Sequence, residues 1–196
     1  MLEALMFVED DAQEAFLRRL VGRLASESGV DLTVRVRSAQ GGAGRVLNQL
    51  KTYAARWKVG QESLPDGLIV ALDANCQGYN RRRDLLDAPA ADLKDLLIHA
   101  IPDPHIERWL LLDGEAFKEV LGHGCKAPDE KCEKRRYKRL LAEAVLDAGI
   151  QPLLGGVEYA EEIADRMNVQ RACDHDASFN RFVGELRLWL NGLRRG

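Results

Sequence analysis

The first half of the chain switches repeatedly between strand-like and helix-like spacing of hydrophobic residues. A short apolar run at 4–8 predicts a strand, and Asp11–Glu27 follows with apolar positions at helical spacing. Alternation over 31–36 and a continuous β-favouring run over 68–72 predict further strands, with an amphipathic helix over 46–57 between them. This order predicts an α/β fold with a mostly parallel sheet flanked by helices.

Beyond Asn75 the hydrophobic pattern becomes mainly helical. It predicts a helix over 81–98 and a short fourth strand over 100–104, interrupted by two prolines. Further helices are predicted over 133–148, 157–167 and 178–193. We therefore expect an α/β domain, 1–112, and a helical C-terminal extension, 113–196, packed on it.

Charge and composition narrow the classes of partner. A net charge of -3 lacks the basic excess of proteins that bind nucleic acid over a broad surface, so any such binding must be local. No apolar run approaches the roughly 20 residues that span a bilayer, and the first residues do not resemble a secretory signal. Four cysteines are then expected to be reduced thiols rather than a disulfide framework. We expect a cytoplasmic protein without a membrane partner.

Oxygen-bearing side chains follow two of the predicted strands. Glu9 ends the first strand, and Asp73 with Asn75 ends the third. Ligand sites of open α/β sheets lie beyond the carboxyl ends of the strands. Two carboxylates about 4 Å apart would repel by roughly 4 kcal/mol at an effective dielectric near 20, so they would share a cation or a proton. Mg²⁺ suits this set, and simple capping of the following helices is the alternative.

Several segments resemble a known fold. FVEDDAQEAFLRRL and LIVALDAN resemble the glutamate-bearing first strand and the Asp-x-Asp strand of the Toprim fold, found in topoisomerases, primases and the overcoming-lysogeny-defect nucleases. GGAGRVLNQL and the IPDPHIERWLL-like segment are similar to a family of small stand-alone bacterial Toprim-like proteins of unassigned function. The resemblance covers most of the chain. It implies a Toprim-like, Rossmann-like sheet and Mg²⁺- or Mn²⁺-dependent cleavage of nucleic-acid phosphodiesters.

The resemblance also implies roles for individual residues. Glu9 would be a general acid or base and a metal ligand, Asp73 and Asn75 would bind the cation, and Glu107 would be a further metal or water-positioning group. Two positions depart from the family pattern, because Asp10 stands where glycine is usual and Asn75 replaces the second acid. An amide oxygen brings no charge, so a second metal would be held more weakly.

Other acidic and glycine residues have both a functional and a structural interpretation. Asp11 and Glu14 could compensate for the missing acid, or could simply be acidic residues at a helix N-terminus. Gly41, Gly42 and Gly44 could let a backbone approach phosphate, or could form a plain flexible loop.

Basic residues and histidine supply the remaining candidates. Arg81, Arg82 and Arg83 follow Asn75 closely and are predicted to neutralise nucleic-acid phosphates. Lys138, in the basic stretch 131–139, is a catalytic candidate that would stabilise developing negative charge, although such a stretch is usually a solvated face. His105 could be a proton shuttle or a hydrogen-bonded structural residue.

Cysteine and histidine also occur in the second half of the chain. The potential zinc ligands are His123, Cys125, Cys132, Cys173 and His175. Their spacing matches no standard zinc finger, and buried cysteines commonly act as small hydrophobic residues. We favour that interpretation over a structural Zn²⁺.

A metal-dependent Toprim nuclease acting on DNA or another nucleic acid is the leading functional hypothesis. The resemblance also implies an ATPase partner protein in defence against phage or plasmids, and it leaves a homodimer open. The alternative is a non-catalytic binding or partner-docking module with a degenerate metal site, which Asn75 favours. A small-molecule phosphohydrolase using the same acids is a third hypothesis.

Overall fold

A single parallel sheet organises the chain. The computed structural model describes residues 2–127, 132–133 and 135–194. Within these residues the strands are β1 Leu2–Val8, β2 Leu32–Ser38, β3 Gly67–Ala71 and β4 Leu97–Ala100. They lie in the order β2-β1-β3-β4, and every neighbouring pair is parallel. The predicted α/β, Rossmann-like fold with a mostly parallel sheet is confirmed.

Helices cover both faces of this sheet. They are α1 Asp11–Glu27, α2 Ala43–Lys58, α3 Tyr79–Asp87, α4 Ile106–Leu110, α5 Gly114–Leu121, α6 Arg136–Asp147, α7 Ala160–Arg166, α8 Val169–His175 and α9 Ala177–Leu193. Two 3-10 helices, Ala88–Leu96 and Val157–Tyr159, complete the helical segments of the described residues. None of the described helices is both long and apolar enough to cross a membrane.

The predicted helix over 81–98 and the predicted strand over 100–104 were wrong in their bounds. Helix α3 ends at Asp87, where Pro89 opens a 3-10 helix that is kinked at Ala90. Proline lacks the N–H that a continuing α-helix needs. The apolar residues of Leu97–Ala100 are fully buried as β4, so a run that fitted a helix end is a strand.

The two faces of β1 pack against different helices because side chains alternate along a strand. Ala4, Met6 and Val8 belong to one hydrophobic cluster, which includes residues of α1, α4 and α9. Leu5 and Phe7 belong to a second cluster, which includes residues of α2 and α3. The sheet is therefore the middle layer of three.

The first cluster continues into the C-terminal helices. Trp109 of α4 lies 5.1 Å from Phe179 and 5.6 Å from Phe182 of α9, measured between ring centroids. Its indole N–H donates to Ser178 Oγ at 2.9 Å. Phe117 and Leu141 join the same core. The division at 112/113 stays a prediction, and the hydrophobic core runs across it.

Helix α9 also closes the free edge of β4. The His99 backbone N–H donates to Glu185 Oε2 at 2.8 Å, so a carboxylate occupies a position on the strand edge that would otherwise be open. The His99 ring lies between two acids, 3.1 Å from Glu185 and 2.8 Å from Asp87. Although burial opposes the charge, the hydrogen bonds to Glu185 and Asp87 raise the pKa of His99 above its ordinary 6.5.

We expect His99→Gln to destabilise the protein most at mildly acidic pH. A raised folded-state pKa contributes stability below 6.5, and this contribution is lost as pH rises through the folded-state pKa. The substitution should lower the free energy of unfolding by about 1 to 3 kcal/mol near pH 5.5, and by less at higher pH. Urea unfolding across pH measures this difference. The exposed His123→Gln is the control, and a difference that is constant or grows with pH would contradict the assignment.

Candidate functional site

Two acidic side chains meet where β1 and β3 end. These strands are neighbours in the sheet, with Phe7 opposite Val70, so Glu9 and Asp73 leave the same edge side by side. The Asp73 backbone N–H lies 3.4 Å from Glu9 Oε2 as a long hydrogen bond. Asp73 is buried and Glu9 is partly buried. The structure therefore brings together the two acids that the strand-end argument paired.

A fully buried glutamine of α1 links these acids. Gln13 Nε2 donates to Asp73 Oδ1 at 2.9 Å, and Gln13 Oε1 accepts from the Glu9 backbone N–H at 2.9 Å. Asp10, rather than Glu9, caps α1, because its side chain accepts from the Gln13 N–H. Sequence reasoning missed Gln13. Its signal was a polar residue in line with the apolar positions Phe16 and Leu17 of the same helix face.

Asp73 also holds the segment that leads into α4. Its Oδ1 accepts from the Ile106 backbone N–H at 3.2 Å, and His105 Nδ1 lies 3.2 Å from its Oδ2. The hydrogen bond to Asp73 raises the pKa of His105, which favours the charged imidazole. The Ala74 N–H donates to Pro102 O at 2.8 Å and so pairs the loop after β3 with the same segment. Asp73 thus caps a neighbouring helix rather than the helix that follows it.

Glu107, in the first turn of α4, faces this cluster. Its side chain is almost completely buried, and its Oε2 has no hydrogen-bond partner. Its Oε1 lies 3.6 Å from Lys138 Nζ of α6, whose side chain is 59% exposed. Lys138 therefore lies in the same site as Glu9, Asp73 and Glu107, although most of the chain separates it from Glu9 in sequence.

The site holds more buried negative charge than its contacts neutralise. Burial raises the pKa of Glu9 and of Glu107, and repulsion from Asp73 raises both further. Burial also raises the pKa of Asp10. The positive charges of Lys138 and His105 beside Glu107, of Lys138 beside Asp10, and of Arg82 beside Glu9 offset these rises in pKa only partly, so the cluster favours a proton or a cation.

The donor set fits a hard divalent cation in kind. Carboxylate oxygens are the ligands that Mg²⁺ and Mn²⁺ prefer, and the unpartnered Glu107 Oε2 is a buried acceptor that a cation would satisfy. Among the described residues, no group of three or more His, Cys, Asp or Glu side chains is arranged so that it could hold a metal ion. Metal binding by Glu9, Asp73 and Glu107 therefore stays a prediction.

Asn75 lies differently from its expected position. Strand β3 ends at Ala71, and Asn75 adopts a left-handed φ of 48° with an exposed side chain. The assumption that Asp73 and Asn75 share an extended segment was therefore wrong. The Asn75 N–H donates to Pro104 O at 2.9 Å, so the turn is paired with the segment that leads into α4. A ligand role for Asn75 stays a prediction.

The three arginines after this loop point in different directions, since successive helical residues are rotated by about 100°. Arg82 is buried and donates from Nε to Ala74 O at 3.1 Å. Burial raises the pKa of Glu9, and the charge of Arg82 offsets a part of that rise. Arg81 is exposed. Arg83 lines a groove with His99 and lies 3.7 Å from Asp84. Of the three, Arg82 is the one that contacts the loop bearing Asp73.

The remaining acidic and glycine candidates divide between two places. Asp11 accepts from Gln40 Nε2 at 2.9 Å, and with Glu14 it lines a different groove. A Cβ at Gly42, where φ is 84°, would lie 3.7 Å from Glu9 Oε1. The glycine loop therefore borders the acidic site.

The expectation that all four cysteines are free thiols was wrong. Cys76 and Cys132 form a disulfide, with Cα atoms 5.6 Å apart, that ties the loop after β3 to the segment preceding α6. Cys125 and Cys173 are free. Burial, with repulsion from Asp113, raises the pKa of Cys125 to about 12.

The potential zinc ligands do not assemble in the described residues. Cys132 is bonded to Cys76 rather than placed with the other predicted ligands, and His175 Nδ1 lies 3.4 Å from Leu112 O. Two residues of the basic stretch 131–139, at positions 131 and 134, lie outside the described residues.

Breaking the disulfide should lower stability without dismantling the site. The Cys76–Cys132 disulfide joins residues 56 positions apart in sequence. A cross-link of this span adds about 2 to 4 kcal/mol to the free energy of unfolding. A dithiol reductant should lower the Tm of the wild type and leave that of Cys76→Ser/Cys132→Ser unchanged. An equal fall in both proteins would show that the reductant acts elsewhere.

Replacing Glu107 by Gln should stabilise the metal-free protein above neutral pH. Gln mimics the protonated acid. A carboxyl group whose pKa is raised in the folded state destabilises the protein as pH rises and the group ionises. The stabilisation that Gln provides should therefore grow with pH. The variant should also gain less Tm than the wild type on adding Mn²⁺, since a ligand is lost. Thermal denaturation at several pH values, with and without Mn²⁺, measures both effects. The exposed Glu119→Gln is the control, and equal behaviour of the two variants would contradict this role.

Comparison with known proteins gives a family for the chain. Neither the curated proteins nor the solved structures contain a match. A family model described as a domain of unknown function, DUF4276, matches residues 8–187 and so includes Glu9, Asp73, Glu107 and Lys138. The match extends through nearly all the elements described above, and the chain belongs to the DUF4276 family.

Proposed function

We propose that the protein is a metal-dependent phosphodiesterase that cleaves nucleic acid, with its active site at the carboxyl edge of β1 and β3. One observation carries the proposal: buried Asp73 and Glu107 converge with partly buried Glu9 and with Lys138, and one buried Glu107 oxygen has no partner. A fold does not hold unneutralised buried acids for stability, because their desolvation is costly. Clusters of ionisable side chains with shifted pKa values are typical of functional sites.

The chemistry follows from the positions of the side chains. A divalent cation bound by the carboxylates would polarise the phosphoryl group and lower the pKa of bound water. Glu9, whose pKa is raised towards the working range of a general base, would transfer the proton of the attacking water. The Lys138 ammonium would face the charge that develops on the phosphoryl oxygens.

His105 is a further candidate for proton transfer at the site. It lies against Asp73 Oδ2, and the hydrogen bond to this carboxylate raises its pKa, which favours the charged imidazole. A charged imidazole could donate a proton to a leaving alkoxide oxygen.

The substrate class rests on the resemblance to Toprim proteins rather than on the site geometry. The same resemblance supports an ATPase partner in defence against phage or plasmids, and a homodimer as an alternative active unit. We propose the cytoplasm as its compartment. Reducing agents there would open the Cys76–Cys132 disulfide, so the reduced form is the one to assay as well.

A non-catalytic binding module is the second candidate. The exposed Asn75 brings no charge, and no set of three ligands is assembled in the described residues. In such a module the site would bind metal or a nucleic-acid end without cleaving it.

Cleavage assays separate these candidates. Purified protein is incubated with supercoiled DNA, linear DNA and RNA in Mg²⁺ or Mn²⁺, with and without reductant. We expect cleavage that falls at least about 100-fold in Glu9→Gln and in Asp73→Asn, because each loses a proton-transfer or metal-binding group. Asp11→Asn, which changes an acid in the adjacent groove, is the matched control and should retain activity.

The pattern of loss decides the function. Cleavage that survives Glu9→Gln would come from a contaminant or another site and would reject the proposal. Mn²⁺ binding without cleavage of any polymer would select the binding module. Turnover of free nucleotides alone would select the small-molecule phosphohydrolase.

A further inference from the structure

One continuous segment of this acidic protein contains no acidic residue. Between Leu32 and Gln61 the chain has no Asp or Glu, although its net charge is -3. The basic residues of this segment are Arg35, Arg37, Arg45, Lys51, Arg56 and Lys58. It comprises β2, the loop with Gly41, Gly42 and Gly44, and α2. Acids from outside the segment pair with four of these basic residues: Glu3 with Arg35, Glu62 with Arg37 and Arg56, and Asp92 with Lys58. Among the described residues, Arg45 and Lys51 are left without an ion pair.

A groove lies between the end of β2 and the exposed face of α2. It has a volume of about 540 Å³. Its polar lining consists of Arg37, Ser38, Arg45, Asn48, Gln49 and Thr52. Guanidinium, hydroxyl and amide groups of this kind donate hydrogen bonds to phosphate and sugar oxygens.

The two arginines of the groove differ in whether an acidic side chain pairs with them. Arg37 is held by Glu62 at 3.0 Å and lies over the Tyr53 ring, so it is a fixed part of the wall. Arg45 donates to Gln40 O at 3.0 Å, and no acidic side chain of the described residues lies within ion-pair distance of it. Its charge, and that of the exposed Lys51, remain available to a ligand.

The backbone of α2 adds to the positive potential. The helix begins after Gly42 without a side-chain cap, and its first turn contains no acidic residue. The positive end of the helix dipole therefore lies in the turn that contains the groove residue Arg45, with no acidic side chain to offset it.

Two polar atoms in the groove residues have no partner. Ser38 Oγ and Gln49 Oε1 are buried without a hydrogen bond. Buried polar groups are rarely left unpaired, and a bound ligand with polar groups would offset this cost after small side-chain rotations.

The groove lies next to the acidic site. Ser38 pairs with Val8 in the parallel ladder, and the Ala39 N–H donates to Val8 O at 2.9 Å, one residue before Glu9. Gly42 borders Glu9 Oε1. A strand whose scissile phosphate lay at Glu9 would therefore enter the groove with its next phosphates.

We propose that this β2–α2 groove is the binding site for the phosphodiester backbone of a nucleic-acid strand. Its principal phosphate contacts are Arg45 of the groove lining and Lys51, an exposed residue of α2 beside that lining. The assignment deepens the proposed function, on which it rests for the position of the cleaved bond. It moves the main backbone contact away from Arg81 and Arg83.

Binding without cleavage tests the groove directly. Fluorescence anisotropy of a labelled single-stranded DNA oligonucleotide is measured in EDTA at several salt concentrations, on the wild type and on Arg45→Glu/Lys51→Glu. We expect the variant to bind at least about tenfold more weakly, and its salt dependence to fall by about 0.7 in slope for each lost phosphate contact. Circular dichroism and Tm establish that the variant is folded.

The matched control is Arg18→Glu/Arg187→Glu, which makes the same change in net charge at exposed positions outside the groove. Equal weakening in both double variants, unchanged affinity in the groove variant, or no binding by the wild type would each overturn the assignment. Binding that depends on the groove, in a protein that never cleaves, would leave the groove established and the nuclease rejected. Cleavage by the wild type with normal activity of the groove variant would give the reverse result.

Discussion

The carboxylate of Asp73 is the contact on which the arrangement of the site depends. It accepts hydrogen bonds from Gln13 of α1 and from the Ile106 backbone, and it faces the His105 ring. Two parts of the chain that are distant in sequence, α1 and the segment that begins α4, are therefore held by one side chain at the end of β3. Because the parallel ladder sets β1 beside β3, Glu9 is brought to the same point, and α4 then presents Glu107 to it.

This arrangement is costly in the absence of a cation. Glu9, Asp10 and Glu107 all have raised pKa values because burial removes water from their charges. The surrounding fold limits the cost through backbone N–H groups and through Lys138, but it leaves one oxygen of Glu107 unpaired. Elsewhere the protein pairs its buried charges closely, as Arg108 with Asp176 at 2.6 Å shows. The contrast supports a functional rather than a structural origin for the acidic cluster.

The sequence was sufficient for the strand ends and insufficient for the loops between them. Apolar runs and the rule for parallel sheets predicted that Glu9 and Asp73 would meet, because both follow from local pattern. The left-handed turn at Asn75 and the Cys76–Cys132 disulfide could not be predicted, since each depends on a partner far along the chain. The bounds of β4 failed because a short buried strand and a helix end share the same apolar composition. The sequence identifies Gln13 as a polar residue on an apolar helix face, but it does not identify the residues that Gln13 contacts.

Net charge concealed the most informative electrostatic feature. A value of -3 argues against nucleic acid only if charge is spread evenly, and here it is segregated. Glu9 and Asp73 lie at the carboxyl edge of β1 and β3. The segment from Leu32 to Gln61 has no acidic residue, and its Arg45 and Lys51 have no ion pair among the described residues. Adjacent regions of opposite sign suit a phosphodiester, since the basic wall attracts the backbone and the acids repel it unless a cation intervenes. Metal dependence and nucleic-acid binding would then be two consequences of one charge distribution, because the acidic site accepts a phosphate only when a cation is bound there.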